Sequence, residues 1–157
     1  MAREQNHQLK RQLGQSGVYT TLLGFGAAPI GNLYRPVHDA IATQAVHCAL
    51  GARLNYFDTA PHYGFGLSES RLGSALQELH AEPVLSTKVG RVLQPLAEPC
   101  EQTVRHGFAD TPHLEPKFDY SYDGVMRSFE DSLVRLGRQQ VDRSEERRVG
   151  KECRSRW

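Results

Sequence analysis

Residues 1–17 are mostly polar, and the pattern changes at Val18. Val18 to Leu23 predicts a short strand running into Gly24-Phe25-Gly26-Ala27-Ala28, ended by Pro29 and Gly31. From His38 to Ala52 the period becomes helical, with Ile41, Ala45, Cys48, Ala49 and Ala52 on one stripe. Leu54 to Thr59 predicts an aromatic-rich strand. Pro61 and Gly64-Phe65-Gly66 predict a loop, after which Ser68 is the expected N-cap of a helix with Glu69 in its first turn. Leu72, Ala75, Leu76 and Leu79 form that helix's apolar face. Val84 to Val89 is the next strand. Residues 94–121 have no period and several prolines, so they predict a long loop, a length that goes with a lid or a binding segment. A last helix is expected from Asp123 to Leu136, with Val125, Phe129, Ser132, Leu133 and Leu136 buried and Gly137 closing it.

Strand, helix, strand, helix, strand, loop, helix is the order of parallel βα units. Three such units do not close a sheet. A closed (β/α)₈ barrel needs eight strands and typically about 250 residues. On pattern alone an open doubly wound sheet remains possible.

The composition is that of a globular chain: 157 residues, 39% hydrophobic and 24% charged. No apolar run approaches the ~20 residues of a membrane span. The polar N-terminus lacks the apolar stretch of a secretory signal, so a cytoplasmic location is expected. Cys48, Cys100 and Cys153 make neither a CxxC pair nor a disulfide framework. A net charge of +1 gives no electrostatic case for nucleic acid. That charge is unevenly spread. Residues 143–157 hold six of the 19 basic residues and three of the 18 acidic ones, which leaves the first 142 residues at −2.

Chemistry-bearing residues gather at predicted strand ends. Asp58 closes one strand, Lys88 lies near the end of the next, and Tyr63 sits in the loop after Asp58. In parallel α/β folds sites are built at that edge. A tyrosine with its ordinary pKa of about 10 is a poor proton shuttle near neutrality. A neighbouring ammonium favours the phenolate, and a carboxylate holds the ammonium charged and aimed. Asp58, Lys88 and Tyr63 therefore suit the roles of orienter, tuner and proton donor, with hydride supplied by a nicotinamide because side chains cannot supply it. Alone, an Asp–Lys pair at strand ends is more often a structural ion pair. His62 reads as a pocket wall or surface residue. No HExxH or comparable spacing occurs among the seven histidines, so no metal site is expected. Gly24-x-Gly26 begins like a dinucleotide fingerprint, but Pro29 holds the sixth position, and no tyrosine is followed four residues later by lysine.

Leu23-Gly24-Phe25-Gly26-Ala27, Asn55 through Gly64, Ser68-Glu69, Leu72-Gly73-Ser74-Ala75-Leu76 and Ser86-Thr87-Lys88-Val89-Gly90 together resemble the aldo-keto reductase family over residues 10 to 142. The stretch from Asp58 to Glu69 is similar to the family's sugar-oxidising branch, the D-threo-aldose 1-dehydrogenases (also called L-fucose or galactose dehydrogenases), or to a relative acting on pyridoxal. The resemblance implies the N-terminal part of a (β/α)₈ TIM barrel, with NADP or NAD across its C-terminal face and a small sugar or aldehyde as substrate. It implies Asp58, Tyr63 and Lys88 as catalytic residues, and Gly26, Ala27 and Asp58 beside the nicotinamide. The same scaffold also serves as a non-enzymatic, cofactor-sensing subunit of membrane channels, the alternative reading. The family's fourth catalytic residue, a histidine, belongs on a strand that should begin at Gln140-Val141-Asp142, yet no histidine follows Asp142.

Residues 143–157, RSEERRVGKECRSRW, have no helical or strand period and stand where an apolar strand is expected. They match, residue for residue, the forward translation of a common short-read sequencing adapter. The expectation is a partial barrel over 1–142 followed by a non-native tail over 143–157. Sequencing the source DNA across codon 143 tests it. The genomic reading frame should depart from these residues at Arg143, and one continuous genomic read encoding all of them would overturn the idea.

Overall fold

The computed structural model describes residues 9–98 and 102–146. At its centre is a parallel sheet of four strands: β3 (Phe25–Gly26), β4 (Tyr56–Asp58), β5 (Val84–Val89) and β10 (Arg143–Glu146), in spatial order β10-β5-β4-β3. Three helices, α1 (Asp39–Gly51), α2 (Leu67–Glu78) and α3 (Tyr122–Leu136), connect these strands. This is a run of successive βα units, an open part of a (β/α)₈ barrel. Side chains alternate along each strand. Phe57 and Leu85 enter the core with Leu72, Ala75 and Leu76 of α2 and Val46 of α1, while Asp58, Ser86 and Lys88 share the other face.

The first predicted strand divides in two. Tyr19–Thr21 (β2) pairs antiparallel with Lys10–Gln12 (β1), inside the stretch read as a polar lead-in, and the sheet strand is the two-residue β3. Asn55 holds the hairpin under the sheet: its Oδ1 accepts from Thr21 N at 2.6 Å and its Nδ2 donates to Tyr19 O at 2.9 Å.

The helices lie where the periodicity puts them, but their buried faces are displaced. On α1 the buried positions are Ala42, Val46 and Ala49, whereas Ile41 is 56% exposed and Cys48 is exposed. Small side chains let the helix approach closely, and a stripe of alanines repeats at more than one helical offset, so the apolar pattern alone does not select it. On α3 the fully buried residues are Gly124, Ser128, Ser132 and Leu136, while Val125, Phe129 and Leu133 are half-buried. Gly73 of α2 allows a close approach to α3: a Cβ there would lie 2.5 Å from the Leu136 carbonyl oxygen. At the start of α3 the Ser121 hydroxyl accepts from Gly124 N and donates to Asp119 Oδ1 at 2.6 Å. Chiefly through that bond, Ser121 holds the Asp119 carboxyl below the ordinary aspartate range.

The expected long loop over 94–121 is a folded excursion instead. Gly90, at φ 89°, turns the chain out of the sheet into β6 (Arg91–Pro95), which pairs antiparallel with β9 (Leu114–Phe118). Between them β7 (Val104–Arg105) and β8 (Phe108–Ala109) form a second hairpin. Asp119 N donates to Gly90 O at 3.1 Å and closes the base of the excursion. Its strands are two to five residues long and contain Pro95 and Pro116. Two-stranded ribbons tolerate proline on their open edges, so neither alternation nor absence of proline marks them in the sequence.

Although the sequence of Arg143–Glu146 has no strand period, these residues add a parallel strand to β5. The ladder requires only backbone groups, and Asp142 starts it by donating its N–H to Leu85 O at 3.0 Å and accepting from Leu85 N through Oδ2 at 2.9 Å. In this register Arg143 stands beside Ser86 and Glu145 beside Lys88.

In the complete parent protein, Gly73→Ala should lower stability by about 1–3 kcal/mol through overpacking. Gly51→Ala, where a Cβ meets nothing within 4 Å, should leave stability unchanged or raise it slightly. Chemical denaturation of both variants checks the contrast.

Candidate active site

Lys88 projects from the sheet face that carries Asp58, one strand away. The register opposes Asp58 to Ser86, so Lys88 is a diagonal neighbour two residues farther along β5. Its Nζ donates to Asp58 Oδ1 at 2.8 Å and Oδ2 at 2.7 Å, and to the Thr59 carbonyl at 3.0 Å. The lysine side chain is 13% exposed, so this ammonium has given up most of its water for three oxygen acceptors. Nζ also lies 5.2 Å from the centroid of the Tyr63 ring, within cation–π range. The three residues that the sequence nominated for catalysis are thus gathered at one rim.

Tight turns carry Tyr63 there. Tyr63 N donates to Ala60 O at 3.0 Å, and Ser68 N donates to Tyr63 O at 3.1 Å. The loop passes so close to the segment after β3 that a Cβ on Gly31 would lie 2.8 Å from the Tyr63 carbonyl carbon. His62 joins an aromatic cluster, with ring centroids 5.4 Å from Phe108, 5.5 Å from His106 and 6.0 Å from Phe65. Among the described residues no group of three or more His, Cys, Asp or Glu is placed to hold a metal ion.

Gly26, at the end of β3, is exposed, and a Cβ there would meet nothing within 4 Å. Ala27 is fully buried; its N–H donates to Asp58 O at 2.8 Å and its carbonyl accepts from Ser68 Oγ at 2.7 Å. Gly26 therefore presents open surface beside Asp58, and Ala27 locks that surface from behind.

Sequence reasoning missed what stands behind the rim. Ser68 does not cap α2; the helix starts at Leu67 after Gly66, and Ser68 is fully buried within it. Its hydroxyl joins Thr59 Oγ1 at 3.0 Å as well as the Ala27 carbonyl. The neighbouring Glu69 is also fully buried, accepting from Thr87 Oγ1 at 2.6 Å and from Arg135 Nε of α3 at 2.7 Å. Two consecutive residues of α2 thus grip the chain at Ala27, at Thr59 and at Thr87, next to Lys88. The available signal was position: Glu69 lies three and seven residues before Leu72 and Leu76, on the apolar stripe, where a charge needs a buried partner.

Comparison with known proteins agrees with this architecture. The model of the aldo/keto reductase family matches residues 22–144, and the chain belongs to that family. It is 43% identical over 141 residues to a pyridoxal 4-dehydrogenase of Microbacterium luteolum, covering 85% of this chain and 41% of that protein. It is 40% identical over 130 residues to a D-threo-aldose 1-dehydrogenase of a Pseudomonas species, covering 81% and 40%. Among solved structures it is similar to the holo form of an aldo-keto reductase from Bacillus halodurans, with a TM-score of 0.66, 28% identity and coverage of 87% of this chain and 39% of that one. A glycerol dehydrogenase from Gluconobacter oxydans shares the fold at a TM-score of 0.71 and 23% identity, covering 92% and 41%. The chain spans about two fifths of the length of these relatives. No helix among the described residues is long and apolar enough to cross a membrane.

In the complete parent, Glu69→Ala should cost about 3–5 kcal/mol, since it leaves the Arg135 guanidinium without its buried partner. Thr87→Val removes one donor from the same buried carboxylate and leaves the ion pair in place, so it should cost less, about 1.5–3 kcal/mol. Equilibrium unfolding distinguishes the two; equal losses would mean that the ion pair carries no special weight.

Proposed function

We propose that this chain carries the N-terminal catalytic residues of an NAD(P)-dependent oxidoreductase that oxidises an aldose at its anomeric carbon or reduces a small aldehyde. The observation that carries this reading is the Lys88 ammonium, chelated by Asp58 and set against the ring of Tyr63. The names of the two relatives above, one a pyridoxal and one an aldose dehydrogenase, support the substrate class.

In the oxidative direction the Tyr63 oxygen takes the proton of the substrate hydroxyl; in the reductive direction it returns a proton to the carbonyl oxygen. The Lys88 ammonium faces the Tyr63 ring, where its charge would offset negative charge developing on the Tyr63 oxygen during either transfer. Asp58 aims Lys88 through both carboxylate oxygens, and the Thr59 carbonyl fixes the remaining direction. The open surface at Gly26, free of any side chain and next to Asp58, fits the flat ring of a nicotinamide. Gly26 and Asp58 would line that end of NADP or NAD; Ala27, which the family resemblance also placed there, is fully buried with both backbone groups bonded to Asp58 and Ser68, and it supports Gly26 from behind. When bound, the cofactor supplies or accepts the hydride.

The 157-residue chain by itself is inactive under this reading. It has no histidine after Asp142 to polarise the carbonyl, and an open sheet leaves strand edges and apolar helix faces uncovered. A broad, non-cooperative melt and no NADPH-dependent turnover are expected of it; a sharp melt with turnover would refute this.

The decisive assay uses the parent protein from its uninterrupted gene, with NAD⁺ and NADP⁺ and a panel of aldoses and pyridoxal. Tyr63→Phe should reduce turnover by about 10²-fold or more while cofactor binding persists. Unchanged turnover would reject the role given to Tyr63. Failure of the parent to oxidise any sugar or alcohol would favour the cofactor-sensing subunit instead.

A further inference from the structure

The excursion after β5 has so far no part in the chemistry, yet its most buried residues lie against the Tyr63 loop. Phe108 and Ala109 of β8 are each 3% exposed, and neither belongs to the main core between sheet and helices. Phe108 packs instead at the rim, its ring centroid 6.1 Å from Tyr63 and 5.4 Å from His62. On the adjoining strand, the Arg105 guanidinium lies 4.6 Å from the centroid of Phe65, and at the tip His106 meets both Phe65 and His62 edge-on. Residues 62, 63 and 65 are thus covered by Arg105, His106 and Phe108 of one hairpin.

Two-residue strands cannot hold themselves together in water, so something must fix this hairpin. Its backbone pairs with the segment after β3. Leu33 bridges Phe108, Tyr34 N donates to Gly107 O at 2.8 Å, and Ala109 N donates to Asn32 O at 2.9 Å. Asn32 returns a bond from Nδ2 to Ala109 O at 3.1 Å, and its Oδ1 is held by Arg71 of α2 at 2.8 Å. On the other side, Arg105 donates to Thr111 Oγ1, Pro112 O and Leu114 O, tying the hairpin to the strand that leads back to the sheet. A short ribbon anchored at both flanks, with its apolar side turned to one loop, is built to restrain that loop.

We infer that the Val104–Ala109 hairpin is a clamp on the Tyr63 loop, and that Phe108 is a positioning residue that seats the Tyr63 ring against Lys88. Bonds to Ala60 and Ser68 fix the Tyr63 backbone, but they leave the lateral position of its ring to side-chain packing. Phe108 supplies that restraint through packing and touches no reacting atom. The inference rests on the proton-transfer role proposed for Tyr63.

The test uses the full-length parent protein. A displacement of about 1 Å in a reacting group costs about 100-fold in rate, so Phe108→Ala should lower kcat by that order, with cofactor affinity and the KM for sugar within about twofold. Phe108→Leu, which keeps apolar volume at the site, should recover most of the loss, and Val104→Ala, a 49% exposed position on the same hairpin, should match the parent. With 3-fluorotyrosine incorporated and the Tyr63 ¹⁹F resonance assigned through Tyr63→Phe, that resonance should shift or broaden in Phe108→Ala. An unchanged kcat, or a fall in kcat with an unchanged Tyr63 resonance, would overturn the clamp. If Phe108→Ala does not fold, Phe108→Leu is read against Val104→Ala by the same two measurements, and equality with that control in both overturns the inference. If the parent shows no turnover at all, the proposed activity has failed; the Tyr63 resonance still decides whether the hairpin positions the ring.

Discussion

A lysine ammonium that is 13% exposed needs close oxygen acceptors, and this need organises the rim of the sheet. Lys88 obtains two acceptors from Asp58 and one from the backbone of Thr59. Both lie on the neighbouring strand or directly after it, so the arrangement exists only while β4 and β5 are parallel and in one register. A slip by one residue would turn Lys88 into the helix layer and Thr87 toward the site. The ion pair and the sheet register therefore depend on each other.

Behind the rim the same logic recurs with the charges reversed. Glu69 is a buried carboxylate that is satisfied only where α2, α3 and β5 meet, through Arg135 and Thr87. Ser68 beside it ties Thr59 to Ala27. Two adjacent residues on one helical turn thus connect all three strand ends that carry the proposed chemistry. The Gly73–Leu136 approach allows this, because it brings α3 close enough for Arg135 to reach Glu69. Small side chains at the helix contact and polar contacts at the strand ends form one packing solution. The excursion after β5 completes it from outside the βα pattern, resting its aromatic residues on the loop that holds Tyr63.

Much of the sheet-and-helix frame was legible because its signals are local. Helical periods, the Gly137 cap and the short strands ending at Asp58 and Val89 follow from spacing and side-chain type. The buried faces of α1 and α3 are offset from the apolar stripes because Ala42, Gly124 and Ser128 are buried for their small size, which hydrophobic patterning does not register, whereas Ala49, Ser132 and Leu136 are buried as the spacing predicts. The excursion was illegible for a related reason. Its strands are stabilised by pairings between residues far apart in sequence, such as Leu93 with Pro116 and Leu33 with Phe108.

By itself the sequence determined which groups are present at the strand ends, a carboxylate, an ammonium and a phenol at spacings that βα units bring to one edge. It could do so because strand alternation and chain direction are local properties. Only the tertiary structure decided how those groups are held: that Lys88 takes both oxygens of Asp58, that Glu69 is paired across two helices, and that a distant hairpin packs on Tyr63. Each of these depends on desolvation by segments tens of residues away, and the chain acquires that surrounding only when it folds.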